Sequence, residues 1–206
     1  MVRTVLLTAA IAMAAAPLAA QAPDGWKVRI DRSTSAQDPD DTPELKFATM
    51  GKGFHVTGGP AGTFWNPANT GKGDFTATAT FQLMKPSGHV NYYGLIFGAA
   101  DLEGAAQNYI YFLVAQNGTY AIRHRAGDQV HDIQRGPSPA VRQPGADGRS
   151  SNALEVRVAG NTISYVVNGT VVHTTPKSGM TAKTDGVVGI RVNHQLDVHV
   201  DGFTVK

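Results

Sequence analysis

Cysteine is absent from the 206 residues of this chain. A chain without cysteine has no disulfide, no thiolate metal site and no thiol nucleophile, so these three kinds of chemistry are excluded together. The sequence also lacks the Gly-x-Ser-x-Gly motif of serine hydrolases. Glutamate is scarce, with Glu44, Glu103 and Glu155 alone, which limits the carboxylate pairs available for glycoside hydrolysis.

The sequence also contains no cluster of charges of one sign. The chain carries 18 basic and 16 acidic residues, and removal of Arg3 with the N-terminal segment described next leaves 17 against 16. The basic residues are scattered along the sequence, whereas nucleic-acid binding needs them clustered in a stripe. We therefore predict no nucleic-acid partner.

The N-terminal segment has the order of a secretory signal. Positively charged Met1-Val2-Arg3 precedes an apolar run from Val5 to Ala16 and then small residues up to Ala22. The run is too short for a bilayer, which needs about 20 residues. We predict a signal peptide over residues 1–20, cleaved after Ala20, and a periplasmic or extracellular domain over residues 21–206 without membrane insertion. The alternative is a buried N-terminal helix.

Alternation of apolar and polar residues predicts an all-β domain. The clearest case is Phe75 to Leu83, where every odd position is apolar over nine residues. Further strands are predicted at the following ranges: 93–99, 109–115, 119–125, 154–158, 162–167, 170–174, 187–193 and 196–205. About twelve to fourteen strands in one domain favour a two-sheet antiparallel jelly-roll sandwich over the smaller immunoglobulin type.

Two Asn-Gly pairs lie between predicted strands. Asn117-Gly118 and Asn168-Gly169 each predict a hairpin with a type I′ turn, because both residue types tolerate positive φ. The stretches Asp31 to Pro43 and Gly136 to Ser150 are rich in turn residues and are predicted to be loops. The second is long for a structureless connection, which is typical of functional loops.

Four segments in the C-terminal part of the chain carry a family resemblance. They are Asn152–Ile163, Val167–His173, Gly186–Arg191 and Asp201–Val205. Their order resembles the concanavalin A-like lectin/glucanase superfamily, and is most similar to laminin-G-like and 3-keto-disaccharide hydrolase-like domains of secreted bacterial proteins. The resemblance implies a jelly roll with a sugar-facing concave sheet. The Glu-x-Asp-x-x-Glu strand motif of the superfamily's glucanases is absent here.

Aromatic and arginine residues are the candidates for ligand binding. Tyr109 and Tyr111 share one face of a predicted strand, and Trp65 lies in a turn-like segment. Pyranose rings stack on such aromatic faces. Arg123 and Arg125 project together and offer bidentate hydrogen bonds to a sugar or an anion. The alternative is that the tyrosines are buried with bonded hydroxyls.

Histidines next to these arginines are the candidates for catalysis. His124, His131 and Asp132 fall on strands predicted to be neighbours, so they could form an acid–base group. They could equally form the solvated edge of a hairpin.

Two segments are candidates for metal binding. Asp197, His199 and Asp201 alternate onto one face of the last strand, although an outer strand face is often simply polar. The acidic loop Asp38–Asp41 has oxygen ligands for Ca²⁺ but not the spacing of a defined calcium motif. Calcium is therefore the one cofactor that we consider, and none is predicted firmly.

Three functions remain open from the sequence. The first is a secreted, non-catalytic module that binds a glycan or another cell-surface ligand. The second is an enzyme of the 3-keto-disaccharide hydrolase type that acts on glycosides, a glycosidase-like activity. The third is a laminin-G-like module with a protein partner, which a buried Tyr109/Tyr111 pair would favour.

Overall fold

The computed structural model describes residues 22–32 and 39–206. The predicted signal peptide lies outside the described residues. The described chain forms two seven-stranded antiparallel sheets, as the alternating sequence predicts, together with two short 3₁₀ helices at Pro39–Asp41 and Gly179–Thr181.

We call the two layers the front sheet and the back sheet. In spatial order the front sheet contains β1 (Lys27–Asp31), β4 (Ala61–Gly71), β13 (Gly186–Val192), β6 (Tyr92–Ala100), β7 (Asn108–Ala115), β8 (Thr119–Ala126) and β9 (Gln129–Pro137). The back sheet contains β12 (Thr170–Pro176), β11 (Thr162–Val167), β10 (Ser150–Ala159), β5 (Phe75–Lys85), β14 (Leu196–Val205), β3 (Gly53–Gly58) and β2 (Lys46–Met50).

The inner faces of the two sheets form the main core. In β5 the odd residues from Phe75 to Leu83 are buried and the even ones are half-buried, as the alternation predicts. Large rings fill the space between the layers, among them Phe64, Phe81, Phe112 and Tyr165, all fully buried. Burial of such side chains, each worth about 1.5–3 kcal/mol, holds the sheets together. Within the described part of the chain, no helix is long and apolar enough to cross a bilayer.

The two Asn-Gly turns differ from each other. Asn168 and Gly169 have φ values of 49° and 82°, so both occupy the left-handed region that a type I′ turn requires. In the other hairpin only Gly118 is left-handed, with φ of 81°, and its N–H bonds to Ala115 O at 3.1 Å. That turn has three residues between its strands, so the type I′ prediction was wrong there.

Trp65 was also misplaced by the sequence. It lies inside β4, paired with Lys27 on one side and Gly189 on the other, and not in a turn. Pro67 made the segment look turn-like. The structure tolerates Pro67 because the pairing with β13 shifts register across this part of β4 and Pro67 itself is exposed.

The predicted 136–150 loop is real but shorter, since β9 ends at Pro137 and β10 begins at Ser150. It is fastened to the core. Val141 is 4% exposed, and Asn152 holds the next residue by accepting from Arg142 N at 2.8 Å and donating to Arg142 O at 3.0 Å. The loop therefore closes one end of the sandwich.

Candidate functional site on the front sheet

Strand register brings the five predicted ligand-binding residues to the outer face of the front sheet. Across this face, Trp65, Tyr111 and Arg123 fall in one row of paired residues. Tyr109 pairs with Arg125 in the adjacent row. Directly paired residues share a face in an antiparallel sheet, so the residues come from three strands to a single surface.

That surface is concave. With the Gln107 amide turned so that its oxygen faces the nearby donors, Arg29 on β1 and Arg125 on β8 both donate to that oxygen, at 3.1 and 3.2 Å. In a flat sheet these strands would lie about 24 Å apart. The two arginines meet at one oxygen because the front sheet curves toward this side, as the family resemblance implied.

The aromatic rings on the concave face are covered. The segment 101–107, between β6 and β7, folds back over the sheet and inserts Leu102 among Trp65, Tyr109 and Tyr111. Tyr109 is 1% exposed, and Trp65 and Tyr111 are each 4% exposed. Rings buried to this extent have no open face on which a sugar ring could stack, so the predicted stacking role finds no support in this arrangement.

The tyrosines instead support a buried arginine. Arg191, 8% exposed, donates from Nη1 to Asp31 Oδ2 at 2.7 Å, Thr63 Oγ1 at 2.9 Å and Tyr109 Oη at 3.2 Å. Its guanidinium carbon lies 5.9 Å from the centre of the Tyr111 ring, which adds a cation–π contact. Burial opposes the charge of Arg191, but the neighbouring Tyr109 and Asp31 raise its pKa above the usual value.

Asp31 is the acidic partner of this network. Burial raises the pKa of Asp31, but the positive charges of Arg191, Arg125 and Arg29 outweigh burial and hold the pKa below its ordinary 3.8. Asp31 is therefore ionised at neutral pH. A carboxyl group with a lowered pKa is a poor general acid, because an acid catalyst must keep its proton at the working pH.

Arg29 fastens the covering segment to the sheet. Its Nη1 donates to Leu102 O at 3.2 Å and Gly104 O at 2.8 Å, and its Nε lies 3.2 Å from Asp31 Oδ1. Gln107, which is fully buried, links the segment to Arg125 as well. The covering segment is thus held by charged groups as well as by Leu102.

The open part of the concave face lies over β8 and β9. Arg123 packs over the Tyr92 ring at 5.8 Å, and its Nε lies 2.6 Å from Asp132 Oδ1. Arg135 reaches Asp132 Oδ2 more loosely, at 3.8 Å. The side chains of Arg123, Asp132 and Arg135 are 23%, 46% and 65% exposed. A ligand would therefore meet polar and charged groups here, not aromatic rings.

The predicted catalytic group is divided between two faces. His124 pairs with His131 and Arg123 with Asp132, so the carboxylate points away from the histidines. The two imidazole rings stack with centroids 6.1 Å apart. Burial, then the charges of His131 and Lys183, lower the pKa of His124 below its ordinary 6.5. His124 Nε2 lies 3.3 Å from Asn108 Oδ1.

The three residues proposed for metal binding share a face of β14 as predicted, on the outside of the back sheet. His199 Nε2 lies 3.1 Å from Asp201 Oδ1, and Asp197 Oδ1 lies 3.0 Å from Nε2 of His55 on the neighbouring strand. Each imidazole therefore has its own carboxylate. The described residues contain no group of three or more side chains placed to hold a metal ion.

In the proposed calcium loop, Asp38 lies outside the described residues. Asp40 Oδ2 is 3.3 Å from His89 Nε2. Two surface cavities lie elsewhere. One of about 510 Å³ is lined by Asn108, Lys177 and Lys183, and another of about 420 Å³ by Lys85 and other residues of the β2–β3 end of the back sheet. Neither cavity gathers the predicted ligand-binding residues.

Sequence reasoning missed four residues of the concave face: Arg29, Asp31, Gln107 and Arg191. A signal for one of them was present. Arg191 stands between Ile190 and Val192 in a strand where five consecutive residues are buried. A charge in such a strand needs a buried partner, although the sequence does not tell which residue provides it.

The two seven-stranded antiparallel sheets, their strand order and the concave front face define a concanavalin A-like jelly-roll sandwich. No family model and no curated protein matches the chain.

Solved structures share the fold at low identity. The carbohydrate-binding module CBM66 from Bacillus subtilis superposes with a TM-score of 0.64 at 12% identity, covering 88% of this chain and 95% of that one. A Bacillus subtilis protein of unknown function with a galectin-like fold gives 0.63 at 16% identity, covering 87% and 88%. A Bacteroides ovatus GH16 protein, solved with a G4G4G3G product, gives 0.58 at 10% identity, covering 88% and 94%. The fold is therefore shared by a binding module and a glycoside hydrolase family protein, and does not distinguish between them.

Proposed function

We propose that this chain is an exported, non-catalytic glycan-binding module whose ligand binds the open part of the concave front sheet. The observation that carries the proposal is the arrangement of Arg123, Arg125 and Asp132 on one accessible concave surface. Charged groups of this kind donate hydrogen bonds to sugar hydroxyls and accept hydrogen bonds from them. Structural similarity to CBM66 and to a galectin-like protein supports a sugar ligand in general.

The carboxylates of the face support binding without hydrolysis. Of the acidic residues that the structure describes there, Asp31 is held ionised by three arginines and Asp132 is paired with Arg123. An ionised Asp31 cannot act as the protonated acid that glycoside hydrolysis requires. Glu155, which pairs with Arg157, lies on the outer face of the opposite sheet.

A glycan array tests the proposal. The purified protein is applied with Ca²⁺ and with a chelator, and the Arg123→Gln/Arg125→Gln variant is compared with Glu155→Gln/Arg157→Gln on the back sheet as a matched control. We expect a saturable, sugar-competed signal that the first variant loses and the control keeps. If both variants lose the binding signal equally, or if neither changes it, the site lies elsewhere.

Export is part of the proposal and rests on the sequence of residues 1–20. Mass spectrometry of the protein from cell fractions tests it. We expect a periplasmic or extracellular form that begins at Gln21. A form that retains Met1 and is confined to the cytoplasm would contradict export.

A protein partner is the second candidate, as for a laminin-G-like module. The burial of Tyr109 and Tyr111, which removes the aromatic stacking platform, favours it. Binding of the labelled protein to cell envelopes pretreated with periodate or with protease separates the two candidates. Loss after periodate favours a glycan ligand, and loss after protease alone favours a protein.

An enzyme of the 3-keto-disaccharide hydrolase type remains the other alternative. Its best support here is His124, whose lowered pKa leaves a neutral imidazole at pH 7 that could accept a proton. Incubation with a 3-keto-glycoside, with His131→Ala and His124→Ala as variants, tests it. Under our proposal the wild-type protein shows no turnover.

A further inference from the structure

The concave face carries an excess of positive charge. Seven charged residues lie on it: the arginines Arg29, Arg123, Arg125, Arg135 and Arg191, and the aspartates Asp31 and Asp132. The count gives a net charge of +3, whereas the whole chain has a formal net charge of +2. The edge of the sheet and the covering segment add Lys27, Glu103 and Asp101, which together contribute one negative charge and lower the local sum to +2. The rest of the chain is therefore neutral in formal charge, and positive charge is concentrated on this surface.

Two of these arginines are committed to the structure. Arg191 is buried, and its Nε and Nη1 groups are occupied by Asn193, Asp31, Thr63 and Tyr109. Arg29 donates to two carbonyl groups of the covering segment and to Gln107, and it pairs with Asp31. These two cations set the local potential, but their hydrogen-bonding groups are largely used.

The other three arginines keep free donors. Arg125 donates from Nε to Gly127 O at 2.6 Å and from one Nη group to Gln107, and its other Nη group has no hydrogen-bond partner among the described residues. Neither Nη group of Arg123 has one within the same residues, and Arg135 has only its loose contact with Asp132. All three side chains are at least partly exposed.

These donors are spaced along one surface. Arg123 and Arg125 lie two residues apart on β8, which places them about 7 Å apart along the strand. Arg135 lies on β9, opposite Ala121, in the next row beyond Asp132. Asp132 contacts Arg123 through Nε and makes no contact with its two Nη groups, so these remain available to a ligand.

We propose that the glycan recognised by this face is acidic, a saccharide of the uronic-acid class whose carboxylates bind Arg123 and Arg125. This inference rests on the proposed function and adds the chemical class of the ligand. A guanidinium group forms two parallel hydrogen bonds to a carboxylate, and such charge-assisted pairs are about twice as strong as neutral ones. A neutral sugar would leave the excess positive charge of the face uncompensated.

Sulfated sugars share the negative charge and are separated by the experiment. Isothermal titration calorimetry is carried out on the purified protein with trigalacturonate, with its fully methyl-esterified form and with a sulfated carrageenan disaccharide, which carries sulfate but no carboxylate. The ester has the same sugar rings without the charge. We expect trigalacturonate to bind at least about tenfold more tightly than the ester, and a tenfold difference corresponds to about 1.4 kcal/mol. The binding of trigalacturonate should weaken as salt screens the charges.

Variants locate the effect. Arg125→Gln is expected to lower the affinity for trigalacturonate about tenfold and the affinity for the ester by a smaller factor, because only the acidic sugar forms a charge-assisted pair with the guanidinium group. Arg125→Lys keeps the positive charge but lacks the planar guanidinium group. Its affinity for trigalacturonate is expected to lie between that of the wild type and that of Arg125→Gln. Arg157→Gln on the back sheet is the control, and thermal unfolding of each variant confirms that it is folded.

The outcomes separate this inference from the proposed function. If trigalacturonate and its ester bind equally, or if only the sulfated sugar binds, the carboxylate inference is wrong while glycan binding stands. If acidic sugars bind but Arg125→Gln and Arg157→Gln behave alike, the concave face is not the acidic site. If no sugar binds here or on the array, both proposals fail.

Discussion

The outer faces of the two sheets differ in what covers them. On the back sheet, β5 and β10 alternate between buried and partly exposed residues along their whole length. On the front sheet, β6 and β7 each have seven consecutive buried residues. An antiparallel sheet with one face in water shows alternation, and a sheet covered on both faces does not.

The covering of the front sheet is built from its own chain. Leu102 and the rest of segment 101–107 lie over Trp65, Tyr109 and Tyr111, and Arg29 holds the segment down. Among residues 22–32 and 39–206, no segment covers the outer face of the back sheet in this way, and that face carries surface pairs such as Glu155 with Arg157. The difference indicates that the chain itself organises the outer side of the front sheet, which is the side where we propose that the ligand binds.

The largest expected effect concerns the buried charge. Asp31→Asn removes the acidic partner of Arg191 and leaves a buried cation without a counter-charge. We expect a loss of about 3 kcal/mol in unfolding free energy, at the low end for buried pairs, since Asp31 keeps 17% side-chain exposure. Urea denaturation at neutral pH measures it. Asp201→Asn on the back sheet, where the side chain is 37% exposed, should cost less than about 1 kcal/mol. Equal losses of unfolding free energy in the two variants would show that the buried charge pair of the front sheet contributes no more than the exposed pair of the back sheet.

The same pair predicts a pH dependence. Because the folded-state pKa of Asp31 is lowered below 3.8, the stability that it contributes is fully present above the pKa of the unfolded chain. It is lost as the pH falls through the lower folded-state value. The difference in unfolding free energy between wild type and Asp31→Asn should therefore be constant from neutral pH to about pH 5 and shrink below pH 4. A difference that stays constant down to pH 2 would show that Asp31 is not stabilised as its anion.

A smaller effect is expected from the covering segment. Leu102→Ala removes the side chain, 5% exposed, that packs on the aromatic rings, and should cost about 2 kcal/mol because a surface segment can partly collapse into the space. Val171→Ala on the back sheet, with the wild-type side chain 51% exposed, should change stability by less than about 0.5 kcal/mol. Hydrogen exchange of residues 101–107 gives an independent measure. Unchanged stability and exchange in Leu102→Ala would mean that the segment does not cover the sheet in solution.

The smallest effect on stability is expected from an ion pair on the back sheet. Arg157→Gln breaks an ion pair in which the arginine is 50% exposed, and should shift the unfolding free energy by no more than about 0.5 kcal/mol. A thermal melt at low and high salt measures it. A cost near that of Asp31→Asn would show that the back sheet also depends on its charges.

The fold could be predicted from the sequence because its signals are local. Alternation in Phe75–Leu83 and the turn at Asn168-Gly169 depend on neighbours a few residues apart, and both were confirmed. Trp65 was misplaced because β4 is held by partners far along the chain, which override the local effect of Pro67.

The candidate site was predicted in part. Placing Tyr109 with Tyr111, and Arg123 with Arg125, needs only a period of two along one strand. The grouping of His124 with Asp132 failed because His131 and Asp132 are consecutive on β9 and so point to opposite faces, and Asp132 pairs with Arg123 instead. The stacking role of the tyrosines found no support because segment 101–107, whose path the alternation of the strands does not predict, covers the rings.

By itself the sequence determined an all-β sandwich and the strand faces on which its arginines and tyrosines lie, because side-chain direction along a strand follows from residue spacing. Only the tertiary structure decided that Arg29 and Asp31 of the first strand join Arg191 of the thirteenth. It also decided that loop 101–107 buries the aromatic rings and leaves the arginines of β8 and β9 open. Those contacts depend on sheet curvature and on strand order, which no local pattern in the chain encodes.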